Sequence, residues 1–342
     1  CKSLRDICLC LSAHQDILYG LGITTSVNES SLSRANESRD YHIYEGLGQA
    51  LIKIVRPLYS KMRVEYLAPQ DHDIFALDST TISCSLKLMN WAQGKYNKGA
   101  VKMHTLIDLR GSIPTCIHIT DGRCHDSNVL DLLDIVPNSI YTMDKAYVDF
   151  EALERIDSEG AFFVTRAKDN IKYEITSTNF NVDQSTGLME DHIIRLTGYK
   201  SKRLYPKEFR LIKFCDNETG ELITFISNIV DQLEFNGLEI ANIYRHRWDI
   251  ESFFKLIKQN LTVKHLMGCS ENEVKTHLWI AICSYLLLAR IKAIYDIPYS
   301  ITEIGTLIRV FALVKTDLKK LVTEPQPLIQ NQDVKEPTLF DC

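Results

Sequence analysis

The sequence predicts an α/β protein in three parts: a helical N-terminal region, a central succession of strands and helices, and a β-rich stretch ahead of a last group of helices. Three observations lead there. Residues 3–60 carry helical periodicity punctuated by glycine and serine signals. From residue 73 the pattern changes to short apolar runs separated by turn residues, in the order β-β-β-α-β-α-β. The chain has 342 residues, enough for two or three domains and a sizeable core.

The elements follow in order. "SLRDICLCLSAHQDILYGLG" is periodic and stops at Gly20 and Gly22, and "YHIYEGLGQALIKIVRPLY" is amphipathic and ends near Pro57. Two short helices with a glycine turn admit a helix-turn-helix, but no basic recognition face is evident, so a plain helical bundle is expected. "DIFALDST" reads as a short strand ending in Asp78. Residues 100–109 and 113–120, joined by "RGS", read as a hairpin. Residues 126–136 read as a helix, 139–147 as a strand ending in Asp144, "DFEALERIDSEG" as a helix stopped by Gly160, and 161–167 as the fifth strand. Residues 170–233 hold several β-like runs. Asn236, with Glu239 three residues on, forms a capping-box-like start for the next helix. Residues 271–296 and 300–322 read as further helices, and the Pro-rich polar end as an extended tail.

Composition is that of a globular protein, 45% hydrophobic and 24% charged. The apolar run 279–289 is too short to span a bilayer and ends at Arg290 and Lys292, so a buried helix and no membrane partner are expected. Ten cysteines without a CxxC pair exclude the usual cysteine metal spacing and read as reduced, mostly buried thiols of a cytoplasmic protein. The net charge of −5 argues against nucleic acid when taken alone. Its distribution argues the other way. Residues 195–213 hold seven Lys/Arg and one Glu, and Lys87, Lys95, Lys98, Lys102 and Arg110 face Asp108 alone between 87 and 110. Basic patches within an acidic average fit a protein with one anionic binding face, although each patch singly also reads as solvated surface.

The segment "IYRHRWDIESFFKLIKQNL" carries the chemistry. On an α-helix Arg247, Glu251 and Lys258 fall about 60°, 20° and 40° behind Tyr244, so the four side chains form one stripe. Ile243, Ile250, Phe254, Ile257 and Leu261 form an apolar stripe about 60° further round, so the polar stripe borders the core. Asp78 and Asp144 each close an apolar strand, where ligands gather in open α/β sheets. Singly, such an Asp reads as a turn former and Glu251 as a solvated residue. Together they place three carboxylates in one pocket, whose repulsion a divalent cation relieves. Oxygen ligands without His or Cys favour Mg²⁺ or Mn²⁺, two of which can activate and release the oxygens of a phosphodiester. Arg247 and Lys258 then suit phosphate. His125 in "DGRCHD" reads as loop structure.

The spacing Y-x-x-R-x-x-x-E-x6-K, met by Tyr244, Arg247, Glu251 and Lys258, resembles the signature of bacterial insertion-sequence DDE transposases of the IS-four family. "FALDST", "KGAVKMHTLIDLRGSIPTCIHITDGRCHDSNVLD", "YTMDKAYVDF" and "GAFFVTRAK" are similar to that family's catalytic core, so the resemblance covers roughly residues 1–322. It implies a ribonuclease-H-like core, a mixed five-stranded sheet with helices, over 70–169 and 234–322, with a β-rich insertion over 170–233. It implies a helical DNA-binding region over 1–65, shorter at its start than in relatives, and a flexible tail over 323–342. Asp78, Asp144 and Glu251 become the catalytic, metal-binding triad for about two Mg²⁺ or Mn²⁺ ions. Tyr244, Arg247 and Lys258 become contacts to DNA phosphates, and Trp248 either an aromatic near an extruded base or a core-edge tryptophan. The implied activity is cut-and-paste transposition: cleavage at transposon ends and strand transfer into target DNA, by a homodimer in the DNA complex, in a bacterial cytoplasm at the nucleoid. Where many relatives read D-R-G-Y, this chain has Asp144-Lys145-Ala146-Tyr147. The alternatives are a catalytically inactive remnant that binds DNA or dimerises, and another ribonuclease-H-like nuclease.

Overall fold

The computed structural model describes residues 3–20, 22–60, 72–84, 91–94, 99–216, 219–233, 235–260, 266, 268–311 and 317–323. Four helices open the chain: α1 (Leu4–Ser12), α2 (Gln15–Gly20), α3 (Glu29–Ser38) and α4 (His42–Tyr59). Ser3 and Asn28 cap α1 and α3 by accepting backbone N–H groups, as short hydroxyl and amide side chains do at helix starts. Within α4, Leu51, Ile52, Val55 and Tyr59 are buried.

A nine-stranded sheet follows in the order β3-β2-β1-β4-β5-β9-β8-β7-β6. Its first five strands are β1 (Asp73–Cys84), β2 (Gly99–Asp108), β3 (Ile113–Asp121), β4 (Ser139–Met143) and β5 (Phe162–Arg166). The β1–β2 and β2–β3 pairs are antiparallel, and β1–β4 and β4–β5 are parallel. Helix α5 (Phe150–Ser158), capped by Asp149, supplies the crossover from β4 to β5. This is the mixed five-stranded order expected of a ribonuclease-H-like core. At the β2–β3 turn Gly111 has φ +82° and a Cβ there would meet the Tyr59 ring at 2.2 Å, so only glycine lets α4 sit against this hairpin.

Strands β6 (Tyr173–Thr178), β7 (Leu188–Leu196), β8 (Glu208–Cys215) and β9 (Leu222–Ser227) continue the same sheet rather than forming a separate one, because β9 pairs antiparallel with β5. A short helix, α6 (Tyr199–Leu204), joins β7 to β8. After it come α7 (Gly237–Arg245), α8 (Asp249–Lys255), α9 (Glu271–Tyr295), α10 (Ile301–Phe311) and α11 (Leu318–Thr323).

Strand alternation divides the core in two. Ile74 and Ala76 of β1 join one cluster with α4, α7, α8 and α9, while Phe75 and Leu77 join another with α5 and Tyr147. Helix α9 is long and apolar enough to cross a membrane by length and composition, longer than the run read from sequence. Half of its apolar window is packed inside the protein, with Trp279, Ile282 and Leu286 buried.

Four expectations need correction. Asp78 does not end a strand: β1 runs on to Cys84 because β2 keeps pairing with it, and only the pairing to β4 stops at Leu77–Met143. Residues 126–132 form a 3-10 helix rather than an α-helix: the Leu133 N–H closes on the Leu130 carbonyl three residues back, with Val129 and Leu130 buried. The polar-stripe helix is not uniform: between α7 and α8 lies a 3-10 turn (His246–Trp248), and a π-helical segment (Leu256–Asn260) follows. Among the described cysteines only Cys283 is buried, and all are free. Leu261, Lys87, Lys95 and Lys98, and residues 324–342 of the expected tail, lie outside the described residues.

Candidate active site

Parallel pairing of β1 and β4 aligns Leu77 with Met143, so Asp78 and Asp144 stand side by side where that pairing ends. On β1, Asp78 has the parity of Ala76 and faces the side covered by α7 and α8, while Ser79 faces the other side. The next helical segment is fixed by its capping box: the Asn236 side chain accepts the Glu239 N–H at 3.0 Å, and the Glu239 carboxylate accepts the Asn236 N–H at 2.7 Å. From that start α7 buries Ile240, Ile243 and Tyr244 against the sheet.

The 3-10 turn then matters. Tyr244 lies in the last turn of α7 and Arg247 three residues on, within the tighter 3-10 turn, so Arg247 stacks back over Tyr244. Its guanidinium lies 5.4 Å from the Tyr244 ring and 5.5 Å from the Trp248 ring. Arg247 Nη1 donates to Asp78 Oδ2 at 2.7 Å, and the Tyr244 hydroxyl reaches Asp144 Oδ1 at 3.4 Å. Among the described residues, buried Arg247 Nε has no hydrogen-bond partner. Tyrosine and arginine of the polar stripe are thus both buried and turned onto the two strand-borne carboxylates.

The electrostatics are coupled. Burial raises the Asp78 carboxyl above its ordinary range; Arg247 opposes that and Asp144 adds to it. Burial likewise raises Glu251, with Arg247 opposing and Asp78 adding. Burial works against the Arg247 charge, but Tyr244, Asp78 and Asp144 overcome it and hold the guanidinium ionised. Tyr244 is pushed up to about 12 by burial, so it stays a neutral donor.

The structure brings Asp78, Asp144, Tyr244 and Arg247 together. Glu251 is on the same helical ribbon, four residues past Arg247, but exposed and within electrostatic rather than bonding reach of Arg247 and Asp78. Among the described residues no three His, Cys, Asp or Glu side chains lie close enough to hold one ion. Trp248 points outward, 57% exposed, which removes the core-edge reading. Lys258 sits half-buried in the π-helical segment, with a partner of its own. The donor types still fit a hard divalent cation: two aligned carboxylates and a third one turn away, with the Arg247 guanidinium supplying positive charge at Asp78. Lys145-Ala146-Tyr147 form a 3-10 turn, and Ala146 is not among the positive-φ residues, so this backbone accepts alanine without strain.

Sequence reasoning missed a polar node on the opposite face of β1. Ser79 Oγ donates to Asp126 Oδ1 at 2.6 Å, and buried Lys102 Nζ donates to Asp126 Oδ1 at 3.3 Å and to the Cys124 carbonyl at 2.9 Å. His104 Nδ1 lies 3.6 Å from the same carboxylate. Lys102 and His104 alternate with apolar residues along β2, a polar pattern in a strand whose every residue is buried, and that was the available signal. The exposed His125 beside Asp126 occupies the N-cap position of the 3-10 helix in extended backbone, with no capping bond from its side chain.

Residues 69–287 match the family described as "Transposase DDE domain". The chain belongs to this family. A putative transposase for insertion sequence element IS4SA of Synechocystis is 28% identical over 77% of this chain and 71% of its own length. A putative transposase of Sinorhizobium fredii is 30% identical over 62% of this chain and 59% of its own, and a probable transposase for insertion sequence element IS5377 of Geobacillus stearothermophilus is 32% identical over 64% and 56%. The chain therefore spans under two thirds of the length of two of these relatives. Its place is among bacterial insertion-sequence DDE transposases of the IS-four type, enzymes of DNA transposition that generally depend on divalent metal.

Proposed function

We propose that this chain cleaves DNA at insertion-sequence ends and joins the freed 3′-hydroxyl to target DNA, with Asp78, Asp144 and Glu251 as its acidic triad. The observation that carries this is the alignment of Asp78 and Asp144 at the end of the β1–β4 pairing, with Arg247 and Tyr244 folded onto them. Two Mg²⁺ or Mn²⁺ ions held by the triad would activate the attacking oxygen and stabilise the leaving oxygen. The protein's own residues do the rest. Asp78 and Asp144 are set by the sheet, so their positions are fixed before substrate arrives. Glu251 is exposed on a helix and rotates into place. Arg247 opposes the burial that raises the Asp78 carboxyl, and its guanidinium offers charge to a phosphate beside that carboxylate. Tyr244 donates a neutral hydroxyl, Lys258 adds positive charge along the strand, and exposed Trp248 offers an aromatic face to an unstacked base.

The helices within 1–65 and the strands within 170–233 serve as further DNA-holding regions around the core, and the active assembly is a homodimer on DNA in the cytoplasm, at the nucleoid. An inactive remnant is disfavoured because both strand-borne carboxylates and their arginine are in place. The deciding experiment is a Mg²⁺-dependent cleavage and strand-transfer assay on DNA ends taken from the flanking genome. Metal-dependent nicking and joined product are expected; DNA binding without cleavage in Mg²⁺ or Mn²⁺ would favour the remnant.

A further inference from the structure

Sheet pairing brings Asp78 and Asp144 to one level and stops a residue short of each, at Leu77–Met143. Beyond that pair β1 runs on beside β2, and the chain after Asp144 leaves the sheet in the 3-10 turn Lys145–Tyr147. Ladder hydrogen bonds constrain paired residues only. How firmly the two carboxylates are held relative to each other therefore depends on what lies past the last pair.

The polar node on the other face of β1 lies at that point. Ser79 stands opposite His104 in the β1–β2 register and shares its face with Lys102. The Ser79 hydroxyl donates to Asp126 Oδ1 at 2.6 Å, and the Ser79 N–H donates to Asp78 Oδ1 at 2.7 Å. Asp126 is held in turn by Lys102 Nζ at 3.3 Å, which also donates to the Cys124 carbonyl at 2.9 Å. Tyr147 arrives from the Asp144 side, its N–H donating to the Asp144 carbonyl at 3.0 Å. Its hydroxyl is buried and completes no hydrogen bond among the described residues. Burial raises that phenol, and Asp126 and Asp78 add to the rise, so it stays a neutral donor beside both. Ser79 Oγ spends its proton on Asp126, which leaves its lone pairs able to accept one from Tyr147.

Stability alone is a poor reason for this node. The same sheet face otherwise carries Phe75, Leu77 and Leu106, and a buried ion pair such as Lys102–Asp126 is often no more stabilising than apolar residues of equal volume. Its position is the informative feature. Asp78 is held at both oxygens, Oδ2 by Arg247 and Oδ1 by Ser79, and Ser79 is itself anchored behind the sheet. A phosphate that draws on Arg247 would loosen the first hold. The second lies on the face away from α7 and α8, out of the substrate's way.

Resting on the transposase reading, we propose that Ser79 and Asp126 are positioning residues for the acidic triad. Asp126, balanced by Lys102, anchors Ser79; Ser79 sets the Asp78 carboxylate, and Tyr147 ties the Asp144 segment to the same anchor. The test compares wild type with S79A, S79T and D126A in three measurements: Mn²⁺ binding to the protein–DNA complex by electron paramagnetic resonance, thermal melting, and cleavage across Mg²⁺ concentrations at saturating DNA. S79A leaves the Lys102–Asp126 pair intact, so it should melt like wild type. It should bind Mn²⁺ about 10-fold or more weaker and need correspondingly more Mg²⁺ for half-maximal cleavage, as loss of a partner behind a metal ligand does. S79T keeps the hydroxyl and should restore both. D126A should share the metal defect and also melt lower, because Lys102 loses its charge partner. DNA affinity should be that of wild type in all three. Wild-type Mn²⁺ affinity and Mg²⁺ dependence in S79A, with wild-type protein cleaving normally, overturns the positioning role alone. A metal defect that S79T shares is a packing effect and overturns it as well. Wild-type protein that neither binds Mn²⁺ nor cleaves DNA overturns the transposase reading together with this one.

Discussion

Two arginine–aspartate pairs anchored on one sheet are finished differently. In the strands beyond β5, Arg210 donates from Nε and Nη2 to both oxygens of Asp191, and from Nη1 to the Phe235 carbonyl, with both side chains fully buried. Asn179 donates to the same carboxylate at 3.0 Å. At the β1–β4 end, Arg247 makes one hydrogen bond to Asp78, its Nε has no partner among the described residues, and its aspartate keeps 21% of its side-chain surface exposed. A saturated pair is a structural part. A half-used guanidinium beside a half-open carboxylate retains bonding capacity for a ligand. Burial alone therefore does not separate structure from function here; completeness of pairing does.

The sharpest break of that comparison is chemical. Asp78→Asn, Asp144→Asn and Glu251→Gln should each lower Mg²⁺-dependent strand cleavage by about 1,000-fold or more, equivalent to roughly 4 kcal/mol of barrier, with DNA affinity largely kept. Single-turnover cleavage alongside gel-shift binding reads both. A variant that cleaves within tenfold of wild type takes its residue out of the site.

The next break is structural. Asp191→Ala strands the Arg210 charge in the interior and should cost about 3–5 kcal/mol of stability, seen as a large fall in melting temperature. Asp78→Asn, by contrast, should leave melting nearly unchanged, because the amide keeps a bond to Arg247 and water reaches the site. Equal melting losses for the two would erase the distinction between a structural and a functional pair.

The same distinction explains what was legible in the sequence. Asp78, Asp144 and the Tyr244/Arg247 spacing could be read because they follow local rules: strand parity, a capping box and helical repeat. The five-strand order could be read because apolar runs and turn residues alternate cleanly. What could not be read was set by partners far along the chain. Arg210 looked like surface charge until Asp191, 19 residues away, was seen beside it. Arg110 and Lys102 looked like a basic patch, yet Arg110 binds Asp73 and Lys102 binds Asp126. The strand that seemed to end at Asp78 continued because β2 holds it, and no local signal announces a neighbour that long.

The node behind Asp78 offers a smaller test, by pH. His104 is fully buried and burial lowers its pKa from 6.5 to about 4. The unfolded chain therefore binds this proton below about pH 6.5 while the folded chain refuses it until about pH 4. Stability from this site is intact above the unfolded value and is lost as pH falls through that window, by at most about 3 kcal/mol. Melting at pH 7 and pH 5 should show a larger acid loss for wild type than for His104→Gln. If both lose equally, His104 takes up its proton in the folded protein and the node is open to water.

The smallest expected effect falls on Lys258. It lies in the π-helical segment, two turns past Glu251 on the polar stripe, and is half-buried. Its removal leaves the Asp78–Arg247 pair untouched, so neither metal dependence nor melting should change by more than about 1 kcal/mol. A phosphate contact instead shows in the salt dependence. Lys258→Ala should reduce the slope of log affinity against log salt by about one unit, uniformly across DNA sequences. Arg247→Ala should lower the slope similarly and reduce cleavage further than binding, because it also frees Asp78 to move. The two variants thus separate a cation that only attracts DNA from one that also holds a carboxylate. A wild-type slope for Lys258→Ala would leave its charge to the helix and its present partner, and the phosphate-holding stripe would then begin and end at Tyr244 and Arg247.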